Sequence, residues 1–278
     1  MYKTILVHIN DDNRVGRLLD VGAHVAQRFN AHLTGLFVLP FVPASPIQWP
    51  MARSVAGGLL SAYREEAERA HQSFERTVQG LQIAPEWRLY KAPTQSYCEA
   101  VLHQGRAADL IIASQRVSDW DYADMFDIPE DLVLQGGRPV LVVPSSGDLE
   151  PVGSRILVAW NGKREGARAV FDALPLLQKA QDVRVLWIDP QNEAIGPSDI
   201  ATAEICAALA RHGVRCEGAH SKTDRVEVGE ELLSQAGKHG SDLLVMGCYG
   251  RSRFREFLLG GATRQVLHNM TIPVLMSH

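Results

Sequence analysis

Ile156-Leu157-Val158-Ala159-Trp160-Asn161-Gly162 has the same pattern as Ile5-Leu6-Val7-His8-Ile9-Asn10-Asp11 near the start of the chain. Two further segments recur in the same order. Asp109-Leu110-Ile111-Ile112-Ala113-Ser114 returns as Asp242-Leu243-Leu244-Val245-Met246-Gly247, and Pro139-Val140-Leu141-Val142-Val143 returns as Pro273-Val274-Leu275-Met276-Ser277. Three ordered matches make the chain an internal repeat. They place the boundary in the polar stretch Ser145-Ser146-Gly147-Asp148-Leu149-Glu150-Pro151, giving domains 1–148 and 149–278.

Each repeated segment is a short, continuous apolar run, the pattern of a strand buried on both faces of a parallel sheet. Strands are expected near 3–9, 33–39, 86–91, 109–114 and 139–144, and again near 155–160, 183–188, 214–219, 242–247 and 273–277. Helical patterns lie between them. Leu18, Val21, Val25 and Phe29 share one face, as do Leu60, Tyr63, Ala67, Ala70, Phe74 and Val78. In the second copy, Val170, Leu174 and Leu177 form a helical face that Pro175 should kink or end. Helices near 199–212 and 226–239 follow. Strand alternating with helix predicts an α/β fold: two tandem, doubly wound domains, each with a five-stranded parallel sheet. The Pro40–Pro50 stretch carries four prolines in eleven residues and predicts an ordered loop or lid.

Composition excludes several classes. With 278 residues, 46% hydrophobic, two cores are affordable. A net charge of −4 argues against a nucleic-acid partner. No apolar run approaches the ~20 residues of a membrane helix. Cys98, Cys206, Cys216 and Cys248 form no Cys-x-x-Cys pair and suit a reducing, cytoplasmic setting. The ten histidines show no metal-binding spacing, and no metal site is expected.

Ligands of open α/β sheets bind beyond the carboxyl ends of the strands. There the second copy reads Met246-Gly247-Cys248-Tyr249-Gly250-Arg251-Ser252-Arg253-Phe254-Arg255-Glu256-Phe257-Leu258-Leu259-Gly260-Gly261-Ala262-Thr263. Gly247 and Gly250 are expected to take positive φ and let the backbone approach a ligand. Gly260 and Gly261 precede a helix, Ala262 to about His268, whose first amides favour phosphate. Arg251, Arg253 and Arg255 add positive charge, or form a solvated face. The first copy instead continues Ser114-Gln115-Arg116-Val117-Ser118-Asp119-Trp120-Asp121-Tyr122-Ala123-Asp124, without glycine and with three aspartates. That charge opposes a polyphosphate, so no nucleotide site is expected in the first copy.

Gly-x2-Gly-x9-Gly after the fourth strand, with the flanking Ile156-Leu157-Val158-Ala159 and Ile272-Pro273-Val274-Leu275, resembles the universal stress protein family. The resemblance covers essentially the whole chain as a tandem pair. It implies a HUP-type, flavodoxin-like sheet, binding of ATP in one subgroup, a role in survival under stress, and pairing of domains through their fifth strands, within a chain or in a homodimer. Carried over residue by residue, Ala159, Trp160 and Asn161 border the adenine and Ile188 packs on the base. Met246 and Gly247 face the ribose. Gly250, Gly260, Gly261 and Ala262 hold phosphates, with Arg251 and Thr263 beside them.

The chain departs from the family pattern in places. Asn161 replaces an aspartate and either contacts the nucleotide or caps the next helix. Trp160 stands for a small residue and either stacks on a base or fills the pocket. Gly261 replaces a hydroxyl residue, removing a contact worth roughly 1 kcal/mol; Thr263 is the nearest substitute. Cys248 reads as an unreactive thiol. The expected function is regulatory binding of ATP, or of AMP or ADP, with Mg²⁺ alongside the phosphates. The alternative is an interaction module without any cofactor. No catalytic residue is expected, since neither a phosphate-binding Gly-x4-Gly-Lys loop nor a nucleophile elbow occurs, and a slow ATPase is the most catalysis implied.

Overall fold

The computed structural model describes residues 1–11, 13–41, 50–116, 126, 128–147, 149, 151–190, 198–223, 227–248 and 261–278. They divide into two compact units, Tyr2–Arg138, and Pro139–His278 together with Met1.

In the first unit, strands β1 (Thr4–Ile9), β2 (His32–Leu39), β3 (Ala84–Lys91) and β4 (Leu110–Ser114) lie in the order β3-β2-β1-β4. All three pairings are parallel. The apolar runs of β1, β2 and β4 are buried almost throughout, as continuous hydrophobicity demands. Helix α1 (Val15–Phe29) buries Leu18, Val21, Val25 and Phe29 and ends at Asn30, whose left-handed φ of 48° lets its N–H reach back to Ala26 and Gln27. Helix α2 (Pro50–Val78) buries Ala67, Ala70 and Phe74. Helices α3 (Tyr97–Gly105) and α4 (Pro129–Gly136) were not expected from periodicity. Both are short. The Ser96 hydroxyl caps α3 by accepting from the Glu99 N–H, and α4 packs on it.

The second unit contains β5 (Val140–Val143), β6 (Arg155–Trp160), β7 (Asp182–Pro190), β8 (Glu217–Thr223), β9 (Leu243–Gly247) and β10 (Val274–Ser277), in the order β5-β10-β9-β6-β7-β8. Neighbours from β10 to β8 are parallel. β5 runs antiparallel to β10, with Val142 opposite Val274 and Leu141 opposite Leu275. The last strand of the first repeat therefore packs inside the second compact unit. The repeat ends in the 145–151 linker, whereas the contacts divide the chain after Arg138.

Helix α5 (Arg164–Asp172) stops before Pro175, and the chain resumes as the short α6 (Leu174–Leu177) with Pro175 in its first turn. Helices α7 (Ser198–Arg211), α8 (Val228–His239) and α9 (Gly261–Asn269) follow. β8 begins at Glu217 rather than near 214, because the Val214 N–H still closes the end of α7 on Leu209. The two Asp residues of the repeat act alike. Asp109 accepts from the Lys3 and Thr4 amides at 2.7 and 3.0 Å. Asp242 accepts from those of Gly153, Ser154 and Arg155 at 2.7, 2.8 and 2.9 Å. Each carboxylate gathers the entry of its unit's first parallel strand. Most of the Pro-rich stretch, residues 42–49, lies outside the described residues. Among the described residues no helix is long and apolar enough to cross a membrane.

Candidate functional site

From β6 the chain of the second unit builds outward to β7 and β8, then returns to the other side for β9 and β10. The order reverses between β6 and β9, and at such a switch the loops leaving the carboxyl ends diverge and leave a crevice. Register places Ala159 opposite Met246 across that switch and Trp160 beside Trp187 on β7. The structure thus brings Ala159, Trp160, Asn161, Ile188, Met246 and Gly247 to one edge of the sheet. Met246 is buried; Ala159, Trp160, Ile188 and Gly247 are half-buried, and Asn161 is exposed.

Gly247 serves packing. A Cβ on it would stand 2.3 Å from the Glu165 carbonyl carbon and 2.4 Å from the Gly166 nitrogen, so the first turn of α5 rests directly on the end of β9. Its φ is not among the positive values, contrary to the expectation from sequence. The Asn161 Oδ1 accepts from the Lys163 N–H at 3.0 Å in a local turn ahead of α5, whose cap position is Lys163 and carries no side-chain cap bond. The Trp160 ring borders the same helix, its Cε3 3.7 Å from where a Cβ on Gly166 would lie. Its indole Nε1 is buried and has no hydrogen-bond partner among the described residues. A buried N–H left unpaired costs about 1–3 kcal/mol and is met by an acceptor in most proteins.

Glu165, at the start of α5, is buried and accepts from the Arg164 Nε at 2.7 Å. Burial works to raise its pKa, but its own backbone N–H, Arg164 and the charge of His278 outweigh this and hold the carboxyl below its ordinary range. Burial, then the Glu165 charge, push the Cys248 thiol far up, so it stays protonated and unreactive.

Gly261 opens α9 and is exposed, Ala262 is half-buried, and the Thr263 side chain is buried. Thr263 thus sits in the helix-packing face. α9 is seated closely on α8: a Cβ on Gly229 would meet the Ala262 carbonyl oxygen at 2.8 Å and the Gln265 Cβ at 2.7 Å. Glu227, just before α8, has its Oε2 3.9 Å from where a Cβ on Gly261 would stand. Gly250, Arg251 and Gly260, with Arg253 and Arg255, lie outside the described residues. Among the described residues no group of His, Cys, Asp and Glu is placed to hold a metal ion.

The first unit has the same switch, between β1 and β4, and fills it with its own side chains. The Ser114 hydroxyl donates to Asn10 Oδ1 at 3.1 Å, and Asn10 Nδ2 donates to the Phe126 carbonyl at 3.1 Å. Asn10 and Ser114 hold the repeat positions of Asn161 and Gly247. Arg14 ties Asp11 to the Gln115 carbonyl at 3.0 and 3.1 Å. Phe126 stacks edge-on against Tyr97 and Tyr63, and His8 Nε2 pairs with the Tyr97 hydroxyl at 3.0 Å. Burial, then the charge of Arg14, lower the His8 pKa to about 3. The Asp119, Asp121 and Asp124 cluster lies outside the described residues.

Sequence reasoning missed Glu165, Glu227 and the buried indole N–H of Trp160. A carboxylate in the first turn of a helix is legible as a dipole partner, but burial beneath a strand end is not.

Residues 154–278 match the model of the universal stress protein family. A universal stress protein from Archaeoglobus fulgidus aligns at 13% identity over 99% of this chain and 95% of its own, with a TM-score of 0.72. A functionally unknown protein from Pseudomonas aeruginosa aligns at 18% identity over 99% and 92%, with a TM-score of 0.59. A half-length chain, a universal stress protein solved in complex with cAMP, aligns at 22% identity over 46% and 98%, with a TM-score of 0.39. For the Archaeoglobus and Pseudomonas proteins the likeness concerns the fold. No curated protein is similar enough to match. It is the second half of the chain, residues 154–278, that is similar to the universal stress protein family.

Proposed function

We propose that the second half of the chain is a regulatory module of the stress response that binds an adenine nucleotide, ATP or its mono- or diphosphate, at the β6–β9 switch. The carrying observation is the contrast between the two switches. In the first unit Asn10 and Ser114 bridge the strand ends. In the second, the partner position is Gly247, Asn161 turns to Lys163, and the Trp160 N–H has no acceptor among the described residues. Ala159, Trp160 and Ile188 border the base and Met246 and Gly247 lie nearest the ribose. The first-turn amides of α9 at Gly261, Ala262 and Thr263 supply phosphate donors, as a helix start does. Gly250, Gly260 and Arg251 complete the set by sequence, and Mg²⁺ accompanies the phosphates. The sequence offers no nucleophile with a positioned base, so the proposal includes little or no hydrolysis and a cytoplasmic role as a switch. The β5–β10 pairing supplies within one chain the contact that a homodimer would supply between two.

Calorimetry with ATP on the wild type and on Gly261→Asp tests this. An acidic residue suits a helix start, so the fold survives, while a carboxylate about 4 Å from a phosphate costs at least tenfold in affinity. Equal heats for the two proteins, or none for either, would sink the proposal.

A second reading is an interaction module without nucleotide. The engaged Asn161 carbonyl and the Glu227 carboxylate beside the start of α9 favour it. Mass spectrometry of small molecules released from freshly purified protein separates the two, since a nucleotide among them excludes this reading.

A further inference from the structure

Cys206 and Cys216 form no Cys-x-x-Cys pair in the sequence, yet the fold brings them close together. Cys206 lies in the middle of α7, which packs on β7 and β8. Cys216 immediately precedes β8. Its Sγ lies 4.0 Å from the Cys206 carbonyl oxygen. A Cβ on Gly218, two residues further along the same face, would stand 4.0 Å from the Cys206 Sγ and 3.0 Å from the Thr202 Oγ1. The small residue at 218 lets α7 sit low on β8, with the Cys206 sulfur over the start of that strand. Both cysteines are free thiols, and both are partly open to solvent.

We propose that Cys206 and Cys216 form a reversible intramolecular disulfide when the protein meets a hydroperoxide. One thiol is first oxidised: Cys206–SH attacks the O–O bond, which breaks, giving Cys206–SOH and an alcohol, or water from hydrogen peroxide. The second thiol, Cys216–SH, then attacks that sulfur. The S–S bond forms, the S–O bond breaks, and the hydroxyl leaves as water with the Cys216 proton. Two thiols lose two electrons and the peroxide gains them. Two monothiols of the glutathione class, or one dithiol of the thioredoxin class, reverse the step by exchange and leave as the oxidised disulfide.

The order of events follows from the surroundings. Burial, together with the neighbouring Cys206, pushes the Cys216 thiol up to about 12, so Cys216 is the poorer first nucleophile and acts second. The other two thiols are set apart from this chemistry. Burial and the charges of Asp131 and Glu99 push Cys98 up to about 12, and Cys248 is buried completely. The bond clamps the middle of α7 to the entry of β8. Its formation does not depend on any nucleotide.

The full-length protein, reduced and then treated with hydrogen peroxide, is digested with trypsin without reduction. Trypsin releases residues 185–211, containing Cys206, and 216–222, containing Cys216, as separate peptides. The expected result is their joint appearance as one disulfide-linked species, lighter by two hydrogens than the sum. Alkylation is then lost at both positions together and restored by dithiothreitol, while Cys98 and Cys248 stay reduced. Cys216→Ser should stop at the sulfenic acid of Cys206, trapped by dimedone. The proposal is overturned if Cys206 and Cys216 remain alkylatable after peroxide, if each oxidises separately to the sulfinic acid, or if either links to Cys98 or Cys248. The wild-type peptide map decides the matter even where a variant folds poorly.

Discussion

At the scale of single residues, equivalent repeat positions have been given different work. Ser114 bridges the first switch, while its counterpart Gly247 has room only for the backbone of α5. Gly247→Ala should therefore destabilise the protein by at least about 1–3 kcal/mol, read from urea unfolding, because a helix backbone cannot swing aside as a side chain can. A loss below about 0.5 kcal/mol would show that α5 is less firmly seated. His8 makes a pH prediction. Its folded pKa, about 3, lies below the ordinary 6.5. Between those values the unfolded chain binds a proton that the folded chain refuses. Stability is complete above pH 6.5 and is lost as pH falls towards 3, by up to about 1.4 kcal/mol per pH unit. Compared with His8→Leu, wild type should lose stability more steeply between pH 6 and 4.5; parallel curves would mean that His8 is protonated in the folded state. The glycine spacing that drew attention to the second copy was legible in the sequence. The packing role of Gly247 was not, because nothing local distinguishes a glycine beneath a helix from one beneath a ligand.

Among elements, strands with unbroken apolar runs were readable within a residue or two, since burial on both faces leaves a signature that no side-chain detail disturbs. The short helices α3 and α4 escaped notice because eight or nine residues give too few turns to show a period. β8 was placed too early because its half-exposed residues, Glu-Gly-Ala-His-Ser-Lys-Thr, carry no apolar run. The contact of α8 with α9 decides where the start of α9 points. Gly229→Ala should push α9 away, since the added methyl meets the Ala262 carbonyl at 2.8 Å. Under the proposed function it should weaken ATP binding several-fold while the far-UV circular dichroism stays unchanged. Intact affinity would separate the start of α9 from the phosphate site.

For the whole molecule, the placement of β5 has the widest consequence. Val140–Val143 is buried throughout and covers the edge of β10. A fragment of residues 149–278 uncovers that edge and should self-associate, read by light scattering, because an unpaired apolar strand invites another chain. A monomeric 149–278 fragment would show that the edge is protected otherwise. The sequence by itself determined the duplication, the α/β alternation and the difference between a glycine-spaced strand end and an acidic one. These follow from local periodicity and from residue types whose backbone limits are their own. Only the tertiary structure decided that the first switch is closed by Asn10, Ser114 and Phe126, that the buried Trp160 N–H finds no acceptor among the described residues, that β5 joins the second unit, and that Cys216 comes close to Cys206. Each of these depends on which residues, distant along the chain, come to share a few ångströms, and packing alone sets that.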